Sequence, residues 1–276
     1  MFTWNCKGKL IVVEKPLIMG ILNINDDSFY AGSRFNDLET IATKAEQMIS
    51  EGADILDIGG QSTRPESTRI SAEEELQRVL PVIEMLAKRS PQVLLSIDTY
   101  HSNVALTAVQ AGASLVNDIS AGEIDKQMLI TVGQLNVPYI CMHMKGVPET
   151  MHLTIGYDDV TKEVFDFFVK KSFECKQAGI NDFVIDPGFG FGKNIHHNLK
   201  LLKDLSIFKT LGKPVIAGLS RKSSIYKTLH ITAEEALNGT TVLNTLALQN
   251  GADILRVHDV KEAVEAMTLL QAYDKA

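Results

Sequence analysis

Glu51-Gly52-Ala53-Asp54-Ile55-Leu56-Asp57-Ile58-Gly59 decides the fold, because its outline returns three more times. The later copies are Ala111-Gly112-Ala113-Ser114-Leu115-Val116-Asn117-Asp118, Ala178-Gly179-Ile180-Asn181-Asp182-Phe183-Val184-Ile185-Asp186 and Asn250-Gly251-Ala252-Asp253-Ile254-Leu255-Arg256-Val257-His258. In each, a helical pattern ends, a glycine takes the left-handed position after it, and a short apolar strand follows. Successive copies lie 60 to 72 residues apart, twice the length of one strand plus one helix. The intervening strands are found at Val93 to Ile97, Pro138 to Met142 and Pro214 to Ala217, with Leu17 to Leu22 in front.

Eight strands are therefore expected, starting near residues 17, 54, 93, 115, 138, 182, 214 and 253. They are short apolar runs without polar alternation, so both faces should be covered. Amphipathic stretches separate them: Leu38 to Ser50 and Ala72 to Lys88 each place their apolar side chains on one stripe. Ser71 with Glu74, and Thr232 with Glu235, fit capping boxes at helix starts. A doubly wound Rossmann sheet would place GxGxxG after its first strand, where this chain has Gly20-Ile21-Leu22-Asn23. The glycine-rich Gly188-Phe189-Gly190-Phe191-Gly192-Lys193 comes late and lacks the Ser or Thr of a phosphate-binding P-loop. The expected fold is an α/β single (β/α)8 TIM barrel, residues 16–276, with a short N-terminal hairpin or cap in residues 1–15.

Composition narrows the function. Of 276 residues, 45% are hydrophobic and 22% charged, which excludes disorder, collagen and a coiled coil. Twenty-seven basic against 34 acidic residues give a net charge of −7, which argues against broad nucleic-acid binding but allows a local cationic pocket. Cys6, Cys141 and Cys175 are scattered and odd in number, as buried thiols of a reducing compartment would be. The N-terminus lacks the pattern of a signal peptide, and no apolar run reaches membrane-spanning length, so a soluble, cytoplasmic protein without membrane contact is expected.

Barrel chemistry belongs at the C-terminal ends of the strands. There the chain carries Asn23, Asp57, Asp98, Asn117 with Asp118, His143, Asp186, Ser220-Arg221-Lys222, and Arg256 with His258. Asp98, Asn117 and Asp186 offer acceptors and an amide, which suit a planar ring edge rich in N–H donors. Arg221 with Lys222 after strand seven, and Arg256-x-His258 after strand eight, suit a diphosphate at the usual phosphate loops of a barrel. His196-His197 diverge on a helix and find no third ligand by spacing, and Cys141 is expected to be packing.

At these residues the chain resembles the dihydropteroate synthases. The matching stretches include Met19-Gly20-Ile21-Leu22-Asn23, Asp27-Ser28-Phe29, Ser62-Thr63-Arg64-Pro65, Ser96-Ile97-Asp98-Thr99 and Asn117-Asp118-Ile119-Ser120. They continue with Met142-His143-Met144, Asp186 through Lys193, Ser220-Arg221-Lys222-Ser223 and Arg256-Val257-His258-Asp259. The resemblance implies condensation of (7,8-dihydropterin-6-yl)methyl diphosphate with 4-aminobenzoate, giving 7,8-dihydropteroate and diphosphate. It also implies that Asp98, Asn117, Asp186 and Lys222 hold the pterin, Met142 lines its pocket, and Arg64, Arg256 and His258 meet the phosphates. Asn23 is implied as the ligand of Mg2+. Phe29, Thr63, Pro65, Phe191 and Ser223 are implied on the aminobenzoate side. Asp98, Lys222 and Arg256 are the expected catalytic groups, and a sulfonamide-sensitive homodimer built on the late helices is the expected assembly.

Two loops depart from the family pattern. Asp26 stands where a proline is usual and Ala31 where an aspartate is, while Gln61 replaces a glutamate and Glu66 a glycine. The pterin-binding barrel of a methyltetrahydrofolate methyltransferase shares the acidic and amide groups, but it binds no diphosphate, so the basic loops favour the synthase. A barrel that has lost catalysis would bind pterin without turnover, and the Asp26 and Ala31 changes are its only support.

Overall fold

The structure is a computed structural model that describes residues 1–24, 34–61, 69–146, 151 and 156–276. Strands β1 (Phe2–Cys6) and β2 (Lys9–Val13) pair antiparallel as the N-terminal hairpin. Eight parallel strands follow: β3 (Leu17–Asn23), β4 (Ile55–Gly59), β5 (Leu94–Asp98), β6 (Leu115–Asp118), β7 (Tyr139–Met142), β8 (Phe183–Asp186), β9 (Ile216–Ala217) and β10 (Ile254–Val257). Their order is β8-β7-β6-β5-β4-β3-β10-β9, and a parallel bridge from Ile185 to Val215 closes the ring. Each strand begins within two residues of its expected start. The helices between them are α1 (Arg34–Ser50), α2 (Ala72–Arg89), α3 (Ser102–Ala111), α4 (Met128–Leu135), α5 (Val160–Gln177), α6 (Ile195–Lys203), α7 (Ser223–Leu229), α8 (Leu237–Gln249) and α9 (Val260–Tyr273).

The four repeat glycines, Gly52, Gly112, Gly179 and Gly251, all have positive φ, from 84° to 136°. This is the turn the repeat predicts, and it delivers the chain from each helix to the next strand. Ser71 and Glu74 form the expected reciprocal cap on α2. Thr232 and Glu235 do not start a helix. The Thr232 N–H donates to Glu235 Oε2 at 2.9 Å, but this closes a turn, and α8 begins at Leu237 behind Ala236.

The strands are buried on both faces, as their unbroken apolar runs imply. Residues facing outward pack beneath the helices in one large apolar layer. Those facing inward at the start of the strands meet the hairpin: Trp4, Cys6 and Val13 pack with Met19, Ile55, Leu115, Ile140, Val184, Ile216 and Ile254. The hairpin is tied on by Asn5 N–H to Asp182 Oδ2 (2.6 Å) and by Lys7 Nζ to the Val109 carbonyl (2.9 Å). The floor of the barrel is thus closed and apolar. Among the described residues no helix is long and apolar enough to cross a membrane.

Candidate active site

Side chains of a strand alternate between its faces, so the residue two beyond an inward floor residue also points inward, one pleat higher. That step leads from Ile55 to Asp57, from Leu115 to Asn117, from Val184 to Asp186, and from Ile254 to Arg256. Across neighbouring strands Gly59, Asp98 and Asn117 pair in register on β4, β5 and β6, and Met142 pairs with Asp186 across β7 and β8.

Arg256 crosses this mouth. Its Nε donates to Asp57 Oδ2 at 2.6 Å and its Nη2 to Asp98 Oδ2 at 2.7 Å. Asn117 Nδ2 donates to the same Asp57 oxygen at 2.9 Å. Asp57 is fully buried, and its other oxygen has no hydrogen-bond partner. On the opposite wall Asp186 Oδ1 accepts the Gly188 N–H at 2.8 Å. Lys222 Nζ donates to the Phe189 carbonyl and stands 5.0 Å from the centre of the Phe191 ring.

Burial pushes the Asp98 carboxyl up to about 8 against the pull of Arg256, and it raises Asp186 against the pull of Lys222. Burial also pushes Lys222 down to about 8, with Asp186 opposing. It works against the Arg256 charge as well, but Asp57 and Asp98 outweigh it and hold that guanidinium more firmly protonated. Three carboxylates and two cations buried together stabilise a fold poorly. Such a group is explained by what it binds. Beside it lies an apolar wall of Tyr100, Ile119 and Met142, backed by Ile124, Met144 and Phe191.

The structure therefore brings together Asp98, Asn117, Met142, Asp186, Phe191, Lys222 and Arg256. Ser223 follows as the first residue of α7, with Lys222 as its cap position. Asn23 is exposed at the end of β3, and His258 is exposed just past β10, where its N–H donates to Ser220 Oγ at 3.2 Å. Phe29, Thr63, Arg64 and Pro65 lie outside the described residues, as do Asp26, Ala31 and Glu66.

Three strand-end residues turn out to brace the scaffold. Arg221, expected to share the diphosphate with Lys222, pairs with both oxygens of Asp259 (2.9 and 2.8 Å) and donates to the Ala233 carbonyl (3.0 Å) and to that of Glu234. Its guanidinium is committed to the start of α9 and the turn before α8. Asp118 accepts from Ser120, Gly122 and Tyr139 Oη, and His143 is held by Lys193. His197 completes a cap with Asn194, and among the described residues no cluster of His, Cys, Asp or Glu is arranged for a metal. Cys141 is fully buried in β7, and burial raises its thiol well above the usual range.

Sequence reasoning missed the tie made by Asp57 and the wall residues Tyr100 and Ile119. The two-residue step from the apolar floor marks Asp57 as facing inward, but it does not name Arg256 as its partner. Gln61 explains one departure from the family pattern. Its Oε1 accepts from the Ile70 N–H (2.8 Å) and Tyr100 Oη (3.4 Å), so the amide keeps an acceptor that a glutamate would offer.

Fold and mouth together define a (β/α)8 enzyme whose strand ends set two cations, Lys222 and Arg256, among the carboxylates Asp57, Asp98 and Asp186. The comparisons agree. The pterin-binding enzyme family matches residues 19–258. The Escherichia coli K12 dihydropteroate synthase is 42% identical over 96% of this chain and 94% of its own. A Xanthomonas albilineans dihydropteroate synthase, solved with 4-aminobenzoic acid, superposes with a TM-score of 0.91 at 42% identity over 99% of this chain and 98% of that one. The Yersinia pestis enzyme, solved as a sulfonamide drug complex, gives 0.92 at 39% identity, with 100% of both chains covered. The chain belongs to the dihydropteroate synthase family.

Proposed function

We propose that the protein condenses (7,8-dihydropterin-6-yl)methyl diphosphate with 4-aminobenzoate, releasing diphosphate and giving 7,8-dihydropteroate. The observation that carries this reading is the buried mouth in which Arg256 is tied to Asp57 and Asp98 opposite Asp186 and Lys222. Asp186 takes the amino-pyrimidine edge, Asp98 and Asn117 flank the ring, and Met142 packs against it. Two Arg256 donors are already engaged, which leaves Nη1 for a phosphate oxygen, and this reading assigns His258 and Arg64 to the same phosphates. This reading assigns Phe191, Ser223, Phe29, Thr63 and Pro65 to the aminobenzoate.

The carbon–oxygen bond to the diphosphate breaks with its electron pair going to the leaving group, and the ring nitrogens delocalise the cation left behind. Asp98 steadies that cation, and Lys222 and Arg256 steady the departing charge. The neutral arylamine then forms the carbon–nitrogen bond and loses its proton to water, so no strong base is required. Asn23 offers one neutral amide oxygen at the rim. That donor is of the hard-oxygen kind Mg2+ prefers, so Asn23 would be the protein's ligand to the ion. When bound, the ion supplies further positive charge to the leaving group.

A homodimer on α8 and α9 is part of the same reading. Leu269 and Tyr273 are 72% and 74% exposed, and they border a cleft of about 450 Å³ with Thr245, Ala266 and Leu270. Three buried free thiols support a reducing, cytoplasmic setting. Sulfonamides are expected to compete with 4-aminobenzoate. The test is diphosphate release by purified protein with Mg2+, with and without 4-aminobenzoate. Release that depends on aminobenzoate and yields dihydropteroate is expected, and pterin binding without product would overturn the reading.

A further inference from the structure

Lys193 ends the glycine-rich stretch, yet it does not face the mouth. It is 6% exposed, and its Nζ lies among four acceptors: His143 Nδ1 (3.0 Å), the His143 carbonyl (3.2 Å), the Gly188 carbonyl (2.9 Å) and the Phe191 carbonyl (3.0 Å). Burial pushes Lys193 down to about 7, with Asp186 opposing; in its charged form it has three N–H groups, and all are engaged here. The acceptors come from two segments, the chain leaving β7 and the loop leaving β8, and among the described residues Lys193 is the side chain that joins them. The loops are already pressed together. A methyl group on Gly188 would collide with the His143 carbonyl, and one on Gly192 with the Lys145 carbonyl; both glycines also have positive φ, 71° and 64°. Backbone carbonyls packed this closely need a donor between them. Burial pushes His143 down to about 2, with Lys193 adding to the effect, so its neutral Nδ1 accepts from Nζ.

The same loop carries two functional contacts. The Phe189 carbonyl accepts from Lys222, and the Phe191 ring lies beneath the same ammonium. We propose that Lys193 is a positioning residue for the reaction: by bolting the loop after β8 to the end of β7, it aims Lys222 and the Phe191 ring at the two substrates. The inference rests on the synthase reading for what those substrates are. Lys193 itself touches neither.

The test uses wild type, Lys193→Met, which keeps the chain length but no donors, Lys193→Arg, and Val132→Ala. The last is a buried change in α4 that serves as a destabilised control. Dihydropteroate formation is measured against each substrate in turn, and binding of the dihydropterin diphosphate is measured by its fluorescence, which needs no turnover. Lys193→Met is expected to raise KM for 4-aminobenzoate and Kd for the dihydropterin diphosphate at least tenfold each, with a smaller fall in kcat. Lys193→Arg should recover a large part of both, and Val132→Ala should melt lower with wild-type KM and Kd. Lower melting of Lys193→Met with wild-type KM and Kd would make Lys193 a purely structural bolt and overturn the proposal. Should that variant not fold, Lys193→Gln, with one amide donor group, is judged by the same readings. A wild type that binds the pterin but forms no product defeats the synthase reading alone, and the Kd comparison still decides the role of Lys193.

Discussion

The two ends of the barrel are built by the same strands and differ in almost everything else. At the floor, Ile55, Leu115, Val184 and Ile254 face inward onto the hairpin. One pleat higher on those four strands stand Asp57, Asn117, Asp186 and Arg256. Two residues of strand cover about 6.5 Å. Within that rise the interior passes from apolar packing, which stabilises, to buried charge, which costs desolvation and is repaid only by binding and catalysis. Mutations at the floor should therefore alter stability with kinetics intact, and mutations at the mouth should do the reverse.

The largest effect is expected at Trp4, which is 1% exposed at the centre of the floor. Trp4→Ala should lower unfolding free energy by about 3 to 5 kcal/mol, as removal of a large buried aromatic does. Its indole Nε1 is buried without a hydrogen-bond partner, so Trp4→Phe removes an unsatisfied donor along with part of the ring and should cost clearly less. Urea unfolding measures both. kcat and KM below the transition should match wild type, and a parallel loss of catalysis would break the division between the two ends.

Lys222→Met probes the mouth. Losing this cation should cost about 2 to 4 kcal/mol in kcat/KM, by analogy with a lost charge-stabilising donor. The fold should lose less than the reaction does, because burial already holds the lysine down to about 8 and Asp186, itself raised by burial, takes up a proton once the cation is gone. Steady-state kinetics beside a thermal melt read both numbers. A melting loss as large as that of Trp4→Ala would show that the mouth also carries the fold.

How far this division could be seen in the sequence follows from what one-dimensional patterns encode. Repeat glycines and unbroken apolar runs report local backbone and double-sided burial, so the eight strands and the left-handed turns at Gly52, Gly112, Gly179 and Gly251 were legible. Polar residues at strand ends were legible as a set, but not one by one. Arg221 and Lys222 are adjacent, yet Arg221 has φ of 54° and its long side chain runs to Asp259, a partner 38 positions away. The Thr232 and Glu235 pair reads like a helix start because a side-chain bond to an N–H closes a turn as well as a cap. Asp57 stood among the strand-end groups, but its tie to Arg256 joins residues 199 apart and needed the closed ring to appear.

Glu75 tests the division from the mouth side. It is buried, accepts from Thr99 Oγ1 at 2.7 Å just above Asp98, and has a second oxygen without a partner. Burial pushes its carboxyl from the ordinary 4.5 up to about 7, with Thr99 and Arg78 pulling back. A raised folded-state value means that the neutral form is favoured on folding, so this contribution is present below pH 4.5 and is lost as pH climbs through about 7. Relative to Glu75→Gln, wild type should thus lose up to about 3 kcal/mol across that window. Urea titrations of both proteins at several pH values measure the difference. A flat difference would mean that the carboxyl ionises in the fold at its ordinary value.

The smallest effect sharpens the same contrast. Ser71 caps α2 through Oγ, which accepts the Glu74 N–H at 3.2 Å, while Glu74 Oε2 accepts the Ser71 N–H at 2.8 Å. This cap follows directly on the loop that begins at Gln61, so it stands at the mouth in space but belongs to the scaffold in chemistry. Ser71→Ala should cost about 1 kcal/mol of stability, the usual loss for a helix cap. KM for both substrates should stay at the wild-type value, because Gln61 ties Ile70, the residue before the cap, to Tyr100 independently of Ser71. A rise in KM for 4-aminobenzoate without the stability loss would place Ser71 in the loop's working parts and move the boundary between scaffold and site outward from the strands to the helix ends.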